Sequence, residues 1–306
     1  SQLKRSKDLS DRIGQLMLAA YILLFLLFLV LPLGALIIKS VQDSKGHFIG
    51  LSNYALYLKE PALFQSFFNS LFIAIVSTIF VVVFAFLFAY AITRTCMPFK
   101  GFFRLIALIP LLSPSILAAI ALVYWFGNKG VLKALLFGHS IYGPIGIILA
   151  SIYWTFPHAL MILSTSLSLS DSRLYEAAEV LKTSKLRAFL TITIPGARYG
   201  IISTTFVVFT QVFTDFGVPK VIGGNYNVLA TDIYKEVVGM QNFQMGAVIS
   251  LVLLIPAMVA FFIDQYSRKK QISLLTSRSV VFNPKKSWGV DMLMLGYCSI
   301  IAIIIL

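Results

Sequence analysis

Apolar runs close to twenty residues long and almost free of charge recur along this chain, and they bound its fold more tightly than any other feature. A helix needs roughly 20 consecutive apolar residues to cross about 30 Å of hydrocarbon. Six complete runs are present, approximately Leu16 to Ile38, Asn69 to Ile92, Leu105 to Gly127, Ile141 to Ser170, Tyr199 to Val218 and Gln241 to Ile263. A seventh starts near Met292 and is still apolar at Leu306, about 15 residues on, which is too few to cross. The expectation is an all-α, polytopic helical membrane protein with six complete spans and the start of a seventh, in a chain that is truncated. Composition agrees, with 58% hydrophobic and 12% charged residues against roughly 25% charged in soluble domains.

The first run follows Lys4, Arg5, Lys7 and Arg12, as in a signal peptide, but it exceeds a signal h-region and no small-residue cleavage site follows, so it reads as a retained span. Lys and Arg counted in alternate loops give the orientation, because cytoplasmic loops keep positive charge. Of the 25 basic residues, 18 fall in the N-terminal tail and residues 93–104, 171–198 and 265–290, and 7 in the other three loops. This asymmetry predicts a cytoplasmic N-terminus. It also accounts for the net charge of +13 through loops beside an anionic leaflet, so no nucleic-acid partner is implied. The cluster Arg268, Lys269 and Lys270 reads either as a lipid-binding patch or as the plain positive flank of a span.

An enzyme would need a nucleophile with its base, paired carboxylates or a metal cluster. The chain has three His and lacks HExxH, GxSxG and a phosphate-binding G-x-x-x-x-G-K-[ST] loop. Cys96 and Cys298 have neither disulfide nor metal spacing. No catalytic residue, metal site or cofactor is expected, and any ATP hydrolysis must reside on another chain.

The loop from Asp171 to Arg198 reads DSRLYEAAEVLKTSKLRAFLTITIPGAR and predicts two short helices. Ser170 or Ser172 can cap the first, with Glu176 and Glu179 near its positive end and Leu174, Ala177, Ala178 and Leu181 at helical spacing. The second carries Leu186, Phe189, Leu190 and Ile194, before Pro195 and Gly196 interrupt it. Such a pair can lie on a membrane, brace neighbouring spans or dock into a soluble partner, and periodicity does not choose.

The segment EAAEVLKTSKLRAFLTITIP resembles the EAA loop of binding-protein-dependent ABC importer permeases, whose pattern is EAA-x-x-x-G followed by I-x-x-P or L-P. Glu176, Ala177 and Ala178 match the triplet, and Ile192, Ile194 and Pro195 match the closing segment. Lys182 stands where the family has Gly, a position that supports a positive φ between two helices; it can instead continue the first helix. The resemblance implies the type I importer permease fold and a coupling loop at residues 171–195 that sits in a cleft of a cytoplasmic ABC ATPase. It further implies a periplasmic or lipid-anchored solute-binding protein and a second permease half, fused or separate.

On that resemblance residues 1–15 form a cytoplasmic tail, 16–264 a six-span permease domain, 265–290 a cytoplasmic linker and 291–306 the start of a second half. The run TDFGVPKVIGGNYNVLATDIYKEVVGMQNFQMGA, residues 214–247, resembles the branch that imports ferric iron or 2-aminoethylphosphonate, with the phosphonate preferred as cargo.

Asp215 is the one acidic residue near the end of an otherwise apolar run, and ionisable groups at membrane depth suggest function. Phe216, Gly217, Val218 and Pro219 are expected to break the helix there, near the outer gate in the family. The plain alternative is that Asp215 is solvated or caps the next segment. Gln211 is a candidate substrate contact and His158 a candidate proton relay, or each bonds a neighbouring helix. Pro110, Pro114, Pro144, Pro157 and Pro256 are expected to kink spans without locating a site.

Overall fold

The computed structural model describes residues 2–168, 173–274 and 284–306. Among the described residues no strand forms, apart from an isolated bridge between Gln42 and Phe48. Among the described residues six helices are long and apolar enough to cross a membrane, or seven if a bent pair counts as one span. The fold is therefore the all-α polytopic one. The chain forms two compact units, Ser1–Phe64 with Asp232–Val252, and Gln65–Thr231 with Leu253–Leu306.

In the first unit α1 (Gln2–Phe25) and α2 (Leu31–Ser40) run on through a π turn at Leu26–Val30. Pro32 opens α2 and has no N–H to donate. The chain accommodates it by letting the N–H of Leu31 reach Leu26 O, one residue farther back than in an α-helix. After α2 the Asp43 carboxylate accepts the N–H groups of Lys45 and His47 at 2.9 and 2.8 Å. Asn53, in α3 (Ser52–Lys59), donates to the carbonyls of Ser40 and Gln42, each at 2.9 Å.

Most of α4 (Pro61–Arg94) lies in the second unit, followed by α5 (Lys100–Ala107), a 3-10 turn at Ile109–Leu112 and α6 (Ser115–Phe126). The run from Leu105 to Gly127, expected as one span, is instead this broken pair, bent by 101°. Pro110 and Pro114 are the cause: neither can donate a helical hydrogen bond, and each disfavours helical geometry in the residue before it. Ser113 is accordingly extended, with φ −110° and ψ 139°.

Next come α7 (Pro144–Ser168), α8 (Arg173–Val180), α9 (Lys185–Ala188) and α10 (Ile194–Phe213). A Cβ on Gly200 of α10 would lie 2.3 Å from the Cβ of Ser166 on α7, so only glycine permits this close approach. Beyond α11 (Gly217–Ile222) the chain docks on α4, where Asn69 donates to Asn227 O and the N–H of Leu229 donates to Ser70 Oγ, both at 2.9 Å. Then follow α12 (Leu229–Tyr234), α13 (Phe243–Leu274) and α14 (Trp288–Ile305). Buried Asp264 of α13 accepts from Ser203 of α10 and pairs with Arg268 at 2.9 Å.

The seventh run also differs in extent. As α14 it begins at Trp288 rather than Met292, and its 18 residues are long enough to cross. The earlier start is permitted because Asp291, although buried, accepts the N–H groups of Cys96 and Ser287 at 2.8 and 3.0 Å. Cys96 is also held by its Sγ, which donates to Pro284 O at 3.1 Å. Asp291→Ala is expected to leave both N–H groups without their acceptor and to cost about 1–3 kcal/mol. Maleimide labelling in detergent should then modify Cys96 faster than in the parent, while fully buried Cys298 keeps the parental rate.

Candidate functional site

The predicted helical pair forms as α8 and α9. The proposed caps Ser170 and Ser172 lie outside the described residues. After α8 the N–H of Thr183 donates to Ala178 O and that of Lys182 to Glu179 O, both at 2.9 Å, with Lys182 at φ 51°. These crossed bonds and the left-handed residue between them make a Schellman motif. Lys182 therefore ends the first helix instead of continuing it. Ser184 then caps α9, its Oγ accepting the N–H of Arg187 at 3.3 Å.

Pro195 and Gly196 do not interrupt the second helix. A π turn at Phe189–Thr193 precedes Pro195, with the N–H of Ile194 on Phe189 O, and the helix runs unbroken from Lys185 to Phe213. This is the device used ahead of Pro32.

Within the loop Ala178 is buried, whereas Glu176, Ala177, Lys182 and Pro195 are exposed and Ile194 is half-buried. Of the expected apolar stripe, Leu174, Leu181 and Leu186 are 56%, 76% and 69% exposed, and Val180 joins them at 83%. Fully burying one such side chain is worth about 1.5–3 kcal/mol, so this surface is suited to contact rather than to solvent. Three inward-facing residues escaped the sequence reading. Tyr175 bonds buried Thr193, with oxygens 2.9 Å apart, and Arg94, buried at the end of α4, lies 5.0 Å from the Tyr175 ring centroid. Tyr175 adjoins the EAA triplet and Thr193 lies within the closing segment at residues 192–195, which is the signal that could have marked them.

At the other end of α10 the Asp215 carboxylate accepts the Ser115 hydroxyl at 2.7 Å and the N–H of Val218 at 2.9 Å. It thus caps α11 and ties that turn to the start of α6. Gly217 lies against the same point, where a Cβ would come within 2.8 Å of Ser115 Oγ and 3.2 Å of Ile116 N. Phe216 is exposed beside them. Gln211 sits four residues before Asp215, its Oε1 buried with no hydrogen-bond partner among the described residues. His158 is placed by its own helix, edge-on to Trp154 with ring centroids 6.0 Å apart. The two groups of candidate residues thus lie at opposite ends of α10, whose 20 residues span about 30 Å. No cluster of His, Cys, Asp or Glu among the described residues is arranged to hold a metal.

Residues 97–272 match the profile of the binding-protein-dependent transport system inner membrane component family. The chain belongs to that family of multi-pass permease subunits, which are not enzymes. Its relatives include FbpB 1 of Haemophilus influenzae, 29% identical over 257 residues that cover 81% of this chain and 40% of that protein. The ferric transport system permease protein FbpB of Actinobacillus pleuropneumoniae is 28% identical over 255 residues, covering 81% and 37% respectively. The chain thus spans about two fifths of the length of these relatives. Its fold is similar to a chain in the crystal structure of a bacterial ABC transporter involved in import of the acidic polysaccharide alginate, with a TM-score of 0.67, 17% identity and coverage of 90% of this chain and 100% of that one.

A left-handed residue other than glycine costs about 1–2 kcal/mol. Lys182→Gly should relieve most of this and, after the added chain entropy of glycine, raise stability by about 1 kcal/mol. Lys182→Val should lower it, and thermal unfolding of the purified chain followed by intrinsic fluorescence measures both signs.

Proposed function

We propose that this chain is the membrane-spanning permease subunit of an ATP-binding cassette importer and that residues 171–195 are its coupling loop. The observation that carries this reading is the EAA segment folded as two short helices with exposed Leu174, Val180, Leu181 and Leu186 beside the exposed Glu176. An apolar patch on a charged loop suits the groove of a soluble ATPase better than water. The Lys and Arg distribution supports a cytoplasmic location for this loop and the N-terminus, and hence an external one for the Asp215 end. We assign residues 1–15 as a cytoplasmic tail, 16–264 as the permease domain, 265–290 as a linker and 291–306 as the start of a second half.

In the mechanism that follows, a solute-binding protein delivers cargo at the outer face. ATP closes the partner ATPases on α8 and α9, and hydrolysis resets them. Each nucleotide state favours one arrangement of the spans through its different contacts, which is sufficient to drive alternating access. Glu176, Ala177, Ala178, Lys182, Ile194 and Pro195 form the coupling element. Asp215, Phe216 and Gly217 form a brace between α10, α11 and α6 at the outer gate, with Gln211 one turn deeper as a solute contact.

Ferric iron is the cargo that the FbpB relatives support. 2-Aminoethylphosphonate is a second reading, favoured by the resemblance of residues 214–247 to the branch that takes either.

Uptake of labelled ferric iron and of labelled 2-aminoethylphosphonate is to be measured in parallel in cells with and without the gene. Loss of iron uptake is expected, restored by the parent gene and not by Glu176→Lys. Loss of phosphonate uptake alone would keep the mechanism and replace the cargo, and no change in either would remove both assignments. Asp215→Asn should accumulate normally and transport at least tenfold more slowly, about 1.4 kcal/mol; unchanged rate and affinity would reject the gate role.

A further inference from the structure

The π turn at Phe189–Thr193 is held from two directions. Phe189 places its ring edge-on to Phe86 and Tyr90 of α4, with centroids 6.0 and 5.4 Å apart. From the other side Thr193, buried, is bonded to the hydroxyl of Tyr175 on α8. The Tyr175 ring stacks with the Arg94 guanidinium. Arg94 in turn donates through Nη2 to Leu167 O, a carbonyl in the last described turn of α7. One tyrosine therefore touches Thr193, just ahead of α10, and Arg94, which ends α4 and itself bonds the last described turn of α7.

Two further links from the loop are of a different kind. Glu179 pairs with Lys285, and Lys185 donates to Ser287 at 2.7 Å. Both lie on the exposed surface, where water and salt leave such contacts little strength. Of these links the buried one is the better suited to carry a displacement of α8 into the bundle.

We infer that Tyr175 is the positioning residue of the coupling loop, passing displacement of α8 to the π turn through Thr193 and to the ends of α4 and α7 through Arg94. This deepens the importer reading and rests on it. A π turn holds one residue more than the α-helical ladder requires. It is therefore the place where a helix can shift register with little disturbance on either side, and the Tyr175–Thr193 bond sits on it. A pull on α8 thus reaches α10 at a segment able to yield.

The parent transporter, assembled with its ATPase and binding protein in proteoliposomes, is compared with Tyr175→Phe, Thr193→Val, Thr193→Ser and the double variant Tyr175→Phe/Thr193→Val. The readout is cargo moved per ATP hydrolysed, with ferric iron and 2-aminoethylphosphonate as probes. Tyr175→Phe keeps the ring on Arg94 and loses only the hydroxyl. Tyr175→Phe and Thr193→Val are each expected to lower the ratio by about fivefold or more, with Thr193→Ser at the parental value. The double variant should be no worse than the worse single one, because both remove the same bond. All four should purify with the ATPase in parental amount.

A parental ratio in both single variants, or losses that multiply in the double one, would overturn the relay and leave the importer reading standing. A parent complex that shows no ATP-driven uptake of either probe overturns both.

Discussion

Within hydrocarbon there is no water to satisfy a peptide N–H or C=O, and this constraint governs how the rest of the chain is built. The backbone answers with helices, and the side chains follow the same rule. Thr93, Thr155, Ser164, Thr205, Thr210 and Ser250 each turn a hydroxyl back to the carbonyl four residues earlier. Polar residues are thereby carried inside apolar spans without needing a partner on another helix. Buried Asp264 is met by the half-exposed Arg268 and by the hydroxyl of Ser203.

Proline tests this rule: Pro157 and Pro256 lie inside continuous helices, and four others show two further outcomes. Pro32 and Pro195 are each preceded by a π turn and the helix continues. Pro110 and Pro114, four residues apart, leave no room for that repair, and the chain turns by 101° between two short helices. The break supplies Ser115, which Asp215 holds from the turn after α10. A feature that looks like a defect in one span thus provides the anchor for another.

Much of this was legible in the residues. Apolar runs of the right length located the helices, and the EAA segment located the loop together with the unusual demand on Lys182, which meets it with φ 51°. What escaped was direction and distance. Hydropathy is the same for a straight span and a bent one, so Leu105 to Gly127 read as continuous. The start of α14 was set too late because Asp291 looks like a charge that ends a span, until its two N–H donors from Cys96 and Ser287 are seen. Tyr175, Thr193 and Arg94 were passed over for a similar reason. They are 18 and 81 residues apart in pairs, and helical periodicity carries no information at that range.

The π turn before Pro195 also bears on how the sequence can vary. An extra residue in a helix rotates everything beyond it by about 100°. The face that α9 shows and the face that α10 shows are therefore set in independent phase, and a repeat pattern followed from Leu186 into the span falls out of step at Thr193. The surface used for docking and the surface packed in the bundle can consequently drift separately, each keeping its own periodicity, as long as the residue count between Phe189 and Ile194 is held. A single deletion there would bring the two patterns into one register and turn one of them to the wrong side.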